Sequence, residues 1–360
     1  MHAETKKLTP GVVTGSDYLT LVSNCKVEGF ALPAINVSST NTLNAALEGA
    51  MLSKSDIIIQ LSNGGAQFFA GKGIRDAAKA RVLGAISAAR HAHTIAKEYG
   101  ICVVLHTDHA DKKLIPWVES LIAASEAEYK ATGRPLFSSH MLDLSEEPLE
   151  ENLAECERIL KRLAKIDMSL EIELGVTGGE EDGIGSDIDQ VDNSKLYTQP
   201  SEVLAAYERL SPLGHFSVAA AFGNVHGVYK PGNVHLRPEI LKASQEHVQK
   251  VHGTPDRPLD FVFHGGSGSS PEEIAEAVSY GVFKMNVDTD TQFAFSKPAG
   301  DYVNAHPKAF KYQIDPEDGT PFKKHYDPRA WLRECEKSMA ERVQQACAEL
   351  GSTGKSIARA

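Results

Sequence analysis

Short apolar runs alternate with amphipathic stretches along nearly the whole chain. Eight runs read as strands, at residues 31–37, 57–61, 101–107, 136–143, 169–174, 216–222, 260–264 and 282–287. Most are continuously apolar, the pattern of parallel strands covered on both faces. Between them a period near 3.6 predicts helices, most clearly at 41–54, 76–99, 112–130, 149–165, 200–210, 237–251 and 271–280. Eight strands alternating with helices predict an α/β fold, a (β/α)8 TIM barrel, with residues 1–360 as a single domain. Two stretches break the alternation. Residues 175–199 are rich in Gly, Asp and Glu without helical period and are expected to form a mobile loop. Residues 306–328 form an irregular arm that leads into a final helix at about 329–350.

Composition narrows the function classes. The formal net charge of −11 over 360 residues argues against nucleic acid or an anionic membrane as partner. Five scattered cysteines without a CxxC pair indicate neither a disulfide framework nor a cysteine zinc site. The opening MHAETKKLTP lacks an apolar signal region, and no apolar run approaches the ~18 residues of a membrane span. The expected location is the cytoplasm.

Chemistry concentrates at the predicted strand ends. His109, His226 and His264 sit at or just past the ends of strands three, six and seven. A barrel gathers such ends into one pocket, and three imidazoles there suit a catalytic Zn²⁺ with one open position. His106 and His140 lie inside strands and read as barrel-interior or outer-shell groups. Asp143 and Glu173, at the ends of strands four and five, read either as a second metal position or as partners that orient a ligating imidazole. Asp108, beside the first histidine, reads either as an outer-shell partner of that ligand or as a group that gives or takes a proton beside the metal. The loop after strand seven, HGGSGSSPEE, contains Gly265, Gly266 and Gly268 and runs into Ser270 and Pro271. Those residues favour close backbone approach and a capped helix start, which together make an anion site. Strand eight ends in NVDTD, and barrels commonly bind phosphate at these two loops. TGGEEDG places Glu180 and Glu181 on the acidic loop, which reads either as a solvated turn or as a loop whose closure over a site supplies a general base. Metal, phosphate, acid and base together suggest chemistry beside the carbonyl of a sugar phosphate.

The segments HTDH, SSHMLDLSEE, LEIELGVTGGEEDG, AAFGNVHGVYKPGNV, VFHGGSGS, NVDTDTQ and YDPRAW resemble, in order, those of the class II, metal-dependent fructose-1,6-bisphosphate aldolases. The likeness is to the bacterial and fungal glycolytic subgroup and covers roughly residues 12–350. It implies a lyase that reversibly cleaves D-fructose 1,6-bisphosphate to dihydroxyacetone phosphate and D-glyceraldehyde 3-phosphate through a zinc-stabilised enediolate, in glycolysis and gluconeogenesis. In that resemblance His109, His226 and His264 match the catalytic zinc ligands, and Asp143 and Glu173 match a second divalent metal position. Asp108 matches the proton donor to the aldehyde oxygen, and Glu181 the base that deprotonates dihydroxyacetone phosphate. Asn286 matches the enediolate stabiliser. Gly227, Gly265, Gly266, Ser267, Asn286, Val287, Asp288 and Thr289 match the triose-phosphate site, with a monovalent cation, Na⁺ or K⁺, nearby. Asn36 and Ser62 match further substrate contacts. Arg329 resembles an arginine that reaches across a homodimer to the second phosphate. Asp111 departs from the pattern, where a small or neutral residue is expected.

Other readings compete. A class I aldolase would use a Schiff-base lysine, and Lys284 is its best candidate, although a barrel-interior ion pair suits that residue better. A metal-dependent hydrolase on a TIM barrel often places HxH on strand one, where this chain reads AINVS. A non-catalytic sugar-phosphate binder would not need Asp108 and Glu181. A tagatose-1,6-bisphosphate aldolase of the same superfamily differs in substrate only by one hydroxyl's stereochemistry.

Overall fold

The computed structural model describes residues 6–175, 178–181, 184–186, 197–226, 236–266 and 269–359, with 178–181, 184–186 and 225–226 described by their backbone. Eight strands form the barrel: β1 Leu32–Asn36, β2 Ile57–Leu61, β3 Cys102–Thr107, β4 Ser139–Leu142, β5 Ser169–Leu174, β6 Phe216–Ala220, β7 Phe261–Phe263 and β8 Val282–Asn286. Each pairs in parallel with its neighbours in chain order, and β8 pairs with β1, which closes the ring. The helices are α1 Gly15–Glu28, α2 Thr40–Ser53, α3 Asn63–Ala70, α4 Ala77–Ile95, α5 Ile115–Thr132, α6 Leu149–Leu163, α7 Pro200–Leu210, α8 Glu239–His252, α9 Pro271–Ser279, α10 Thr289–Ala305, α11 Lys323–Tyr326 and α12 Pro328–Glu349. The predicted (β/α)8 barrel is therefore the fold.

The strands read from the apolar pattern all form. The one read over 136–143 pairs only over Ser139–Leu142. Four helices escaped the pattern: α11 is a single turn of four residues inside the arm, and the other three were missed for visible reasons. The α3 sequence NGGAQFFA carries two glycines, α10 buries only Thr291 and contains Pro298, and α1 mixes polar with apolar residues on its buried side. Asp111, the departure from the family pattern, accepts from Lys113 N at 2.9 Å and Leu114 N at 3.0 Å, so it caps the turn that opens α5.

Side-chain alternation along the strands divides the core. Ile57, Ile59, Leu61, Val103 and Leu105 face the surrounding helices. Leu32, Ala34, Ile58, Cys102, Val104, Val262 and Phe283 belong to a second cluster with Leu21, Val22 and Cys25 of α1, which plugs the barrel's base. There too, buried Asp56 accepts from Cys102 N, Ser356 Oγ and Ile357 N at 2.7–2.9 Å, tying the C-terminal tail to the barrel. The lower barrel is thus filled largely by apolar side chains, and most of the charged and carboxamide strand residues stand in the upper half.

The C-terminal helix returns to the barrel wall. Arg333 grips Glu48 of α2 with two contacts of 2.6 Å, and a Cβ on Gly49 would stand 2.6 Å from Ala340 O. The arm before it is not wholly irregular: Ile314 pairs with Pro321, and α11 follows.

The tightest helix contact lies beneath the mouth. A Cβ on Gly84 of α4 would stand 1.7 Å from the carbonyl oxygen of Ala66 in α3, the helix that Ser62 caps. Backbone cannot yield as a flexible side chain can, so Gly84→Ala is expected to cost about 1–3 kcal/mol or more. Gly73→Ala, where nothing lies within 4 Å, should stay within about 0.5 kcal/mol of the parent. Chemical denaturation of both variants checks the contrast.

Candidate active site

At the C-terminal ends of the strands the polar residues converge. Asp108 follows β3 directly, and its amide continues the ladder to Leu61 O at 2.9 Å. Two residues on, Ala110 O receives the Asp143 amide at 2.8 Å, which ties the same turn to β4. Held on both sides, His109 adopts φ +39°, a left-handed conformation uncommon for a residue with a side chain. Such local strain is a frequent mark of functional positions.

Three carboxamides surround the Asp108 carboxylate, which is fully buried. Gln60 Nε2 donates at 2.8 Å and Asn36 Nδ2 at 3.2 Å, while Asn286 Nδ2 stands 3.4 Å from each oxygen. Gln60 also donates to Asn36 Oδ1. Asn36 ends β1 and Asn286 ends β8, so the clamp spans four adjoining strands. Gln60 was not among the residues singled out from sequence. Its signal was there: a lone carboxamide in IIIQL, one position before the end of a strand.

The imidazoles and acids form a second group. The His109 and His264 rings stand 4.8 Å apart. His109 Nδ1 lies 3.5 Å from Asp143 Oδ2, and His264 Nδ1 lies 3.6 Å from Glu173 Oε2. Burial would raise the Asp143 pKa, but His109 and Ser145 bring it down to about 2. Burial holds His264 below the usual histidine range, against the opposing pull of Glu171. Both imidazole and carboxylate are therefore in the forms that bind metal at neutral pH. Ligand atoms of His109, Asp143 and Glu173 lie within 4.8 Å of one another, as do those of Asp108, His109 and His264. This mixed nitrogen and oxygen donor set fits Zn²⁺.

Below them lies a layer that the sequence only hinted at. Glu171 Oε1 accepts His264 Nε2 at 2.8 Å, and its oxygens accept Lys284 Nζ at 3.0 and 2.8 Å. His106 Nε2 stands 3.4 Å from Glu171 Oε2. Burial would raise the Glu171 pKa, but Lys284, His106 and His264 hold it well below the carboxylate range. Lys284 is thus an interior ion-pair partner, as its position suggested, and is poorly placed to be a Schiff-base nucleophile. Glu171 was overlooked although LEIEL puts it on the same face as Glu173. His106 faces the interior as expected. His140 does not: it bonds Thr107 Oγ1 at 2.7 Å on the helix-facing side, because Thr107 and His106 alternate across the strand.

The remaining site residues occupy the surrounding loops. Gly265, φ +61°, and Gly266, whose Cβ would meet Met285 at 2.6 Å, follow β7. Ser270 then caps α9 in a capping box with Glu273, and Pro271 opens the helix. After β8, Val287 is buried, and Asp288 and Thr289 begin α10. Two helix N-termini therefore open beside the mouth. Ser62 caps α3 after β2. The acidic loop contains a backbone hairpin, Gly178–Glu181 with Ile184–Ser186, and Gly178–Gly179 pairs with Val225–His226. The strand that carries Glu181 thereby lies against the one that carries His226. Asn224, two residues before His226, donates to His264 O at 2.9 Å. The side chains of Glu181 and His226, and the residues Gly227 and Ser267, lie outside the described part. Arg329 is not drawn into this group. It stands in the first turn of α12, 89% exposed, and pairs with Asp327 at 2.7 Å.

A family model described as fructose-bisphosphate aldolase class-II matches residues 16–355. The chain belongs to the class-II fructose-bisphosphate aldolase family. It is 54% identical over 346 residues to a fructose-bisphosphate aldolase of Haemophilus influenzae, which covers 95% of this chain and 96% of that one. It is 52% identical over 348 residues to the fructose-bisphosphate aldolase class 2 of Escherichia coli K12, with the same 95% and 96% coverage. A crystal structure of the fructose-bisphosphate aldolase from Campylobacter jejuni superposes with a TM-score of 0.87 at 52% identity, covering 97% of this chain and 98% of that one.

In this aldolase the unpredicted Gln60 should matter to the chemistry rather than to metal retention. A hydrogen bond to a charged group contributes about 1.5–3 kcal/mol. Gln60→Met is therefore expected to lower aldolase turnover roughly 10–100-fold while bound zinc stays at the parent level, read by steady-state kinetics and metal analysis of the same samples.

Proposed function

We propose that this aldolase reversibly cleaves D-fructose 1,6-bisphosphate to dihydroxyacetone phosphate and D-glyceraldehyde 3-phosphate, as a zinc-dependent, cytoplasmic homodimer of glycolysis and gluconeogenesis. The observation that carries the reading is the meeting, at one barrel mouth, of the carboxamide-clamped Asp108 with the imidazole and carboxylate donors. His109, His226 and His264 would hold the zinc, with Asp143 and Glu173 offering a second divalent position. When bound, the zinc supplies Lewis acidity at the ketone.

The protein's own groups account for the proton traffic. In cleavage Asp108 takes the proton of the C4 hydroxyl as the C3–C4 bond breaks and the aldehyde forms. The electron pair of that bond passes to the triose fragment as an enediolate, toward which Asn286 directs its amide. Glu181, on the hairpin paired with the His226 strand, returns a proton to carbon and completes dihydroxyacetone phosphate; in condensation it removes that proton. Gly227, Gly265, Gly266, Ser267 and the Asn286–Thr289 segment receive the triose phosphate, through backbone N–H groups and the two helix starts, with Na⁺ or K⁺ beside it. Asn36 and Ser62 face the sugar. Arg329 reaches the other phosphate of a neighbouring subunit's substrate; its exposure and its place after the 306–328 arm support that role.

Exhaustive chelation tests the metal reading. It should abolish cleavage, and Zn²⁺ or Co²⁺ should restore it; full activity after chelation together with a borohydride-trapped Lys284 adduct would overturn it. Asp108→Ala should slow cleavage roughly 10²–10⁴-fold, and Glu181→Ala should slow solvent hydrogen exchange from dihydroxyacetone phosphate by a similar factor. Exchange at the parent rate in Glu181→Ala would assign the base elsewhere. Arg329→Ala should weaken binding and turnover of the bisphosphate while triose exchange stays nearly unchanged. Equal losses in the two assays would place Arg329 in the fold or at the first phosphate instead.

A further inference from the structure

The Glu171 layer is not exhausted by its part in the fold. Burying a lysine and a glutamate together is not in itself stabilising, since apolar residues of similar volume commonly do as well or better. Lys284 and Glu171 are each 2% exposed, and both of Glu171's oxygens accept from Lys284 Nζ. That leaves one further strong contact, the 2.8 Å bond between Glu171 Oε1 and His264 Nε2. A carboxylate can only accept, so His264 carries its proton on Nε2. Its other nitrogen, Nδ1, lies 3.6 Å from Glu173 Oε2, among the candidate donors. The same layer continues downward. His106 Nδ1 bonds Ser139 Oγ at 2.8 Å.

We propose that Lys284 and Glu171 are positioning residues for the metal: Lys284 fixes the Glu171 carboxylate, and Glu171 fixes His264 in the Nε2–H tautomer, whose unprotonated Nδ1 carries the lone pair that a metal needs. The inference rests on the metal reading given above. An imidazole with its proton on the nitrogen that faces the metal must rearrange before it binds, so loss of the orienting carboxylate weakens the site without removing a ligand. Outer partners of ligating histidines generally act in this way, and their loss typically costs 10–100-fold in metal affinity.

The test measures zinc affinity by competition with a chromophoric chelator, alongside thermal unfolding of the metal-free proteins. Lys284→Met leaves Glu171 as an uncompensated buried charge and is expected to lower metal-free stability as well as affinity. The deciding variant is Glu171→Gln with Lys284→Met, in which both charges leave together. It is expected to unfold at or above the parent's temperature without metal, yet to bind zinc roughly 10–100-fold more weakly, because an amide can present either its oxygen or its N–H to His264. A purely structural role would move stability and leave affinity alone. Zinc affinity in the double variant within threefold of the parent's would overturn the proposal. A parent protein that itself fails to bind zinc would instead overturn the metal reading on which the proposal stands.

Discussion

An ionised carboxylate sealed inside a barrel is the constraint around which this molecule is arranged. Glu171 cannot reach water, so the interior must supply cationic and hydrogen-bonding partners of its own. Lys284 from β8, His264 from the end of the adjoining β7 and His106 from β3 provide them. The consequence is a division of the barrel by height. Below Glu171 the barrel is filled largely by apolar side chains and capped by α1, with a few buried serines among them; above it stand the acids, amides and imidazoles.

The second organising feature is the turn after β3. Ladder bonds to β2 and β4 hold the segment around His109 on both sides, which keeps His109 left-handed and Asp108 pointing into the amide clamp. One short stretch of backbone therefore places the imidazole of His109 and the carboxylate of Asp108 side by side. Asp111 then ends the turn by capping the next helix, which explains an acidic residue where the family pattern suggested a small or neutral one.

Much of this was legible beforehand. Strand ends are marked by where an apolar run stops, so Asp108, His109, Asp143 and Glu173 could be placed at the mouth without knowledge of side-chain contacts. What the pattern concealed depends on partners from distant strands. Glu171 looks like a misplaced charge until Lys284 is brought to it across the barrel, 113 positions away in sequence. Gln60 gains its meaning only beside Asn36 and Asp108. His140 was misassigned because two neighbouring histidine-bearing strands present opposite faces, which register alone decides. The helices that were missed owe their existence to packing rather than periodicity; α3 contains two glycines and is held against α4 at Gly84.

The account stands on one spatial claim: that the imidazoles at the mouth of the barrel, oriented from below by Glu171, bind the metal that the aldolase family requires. Crystals of the zinc-loaded protein, measured on both sides of the zinc absorption edge, address it directly. The account predicts an anomalous peak bounded by His109 and His264, with His264 Nε2 still bonded to Glu171. A protein fully active in aldol cleavage whose zinc lies elsewhere, with no histidine beside it, would contradict the account.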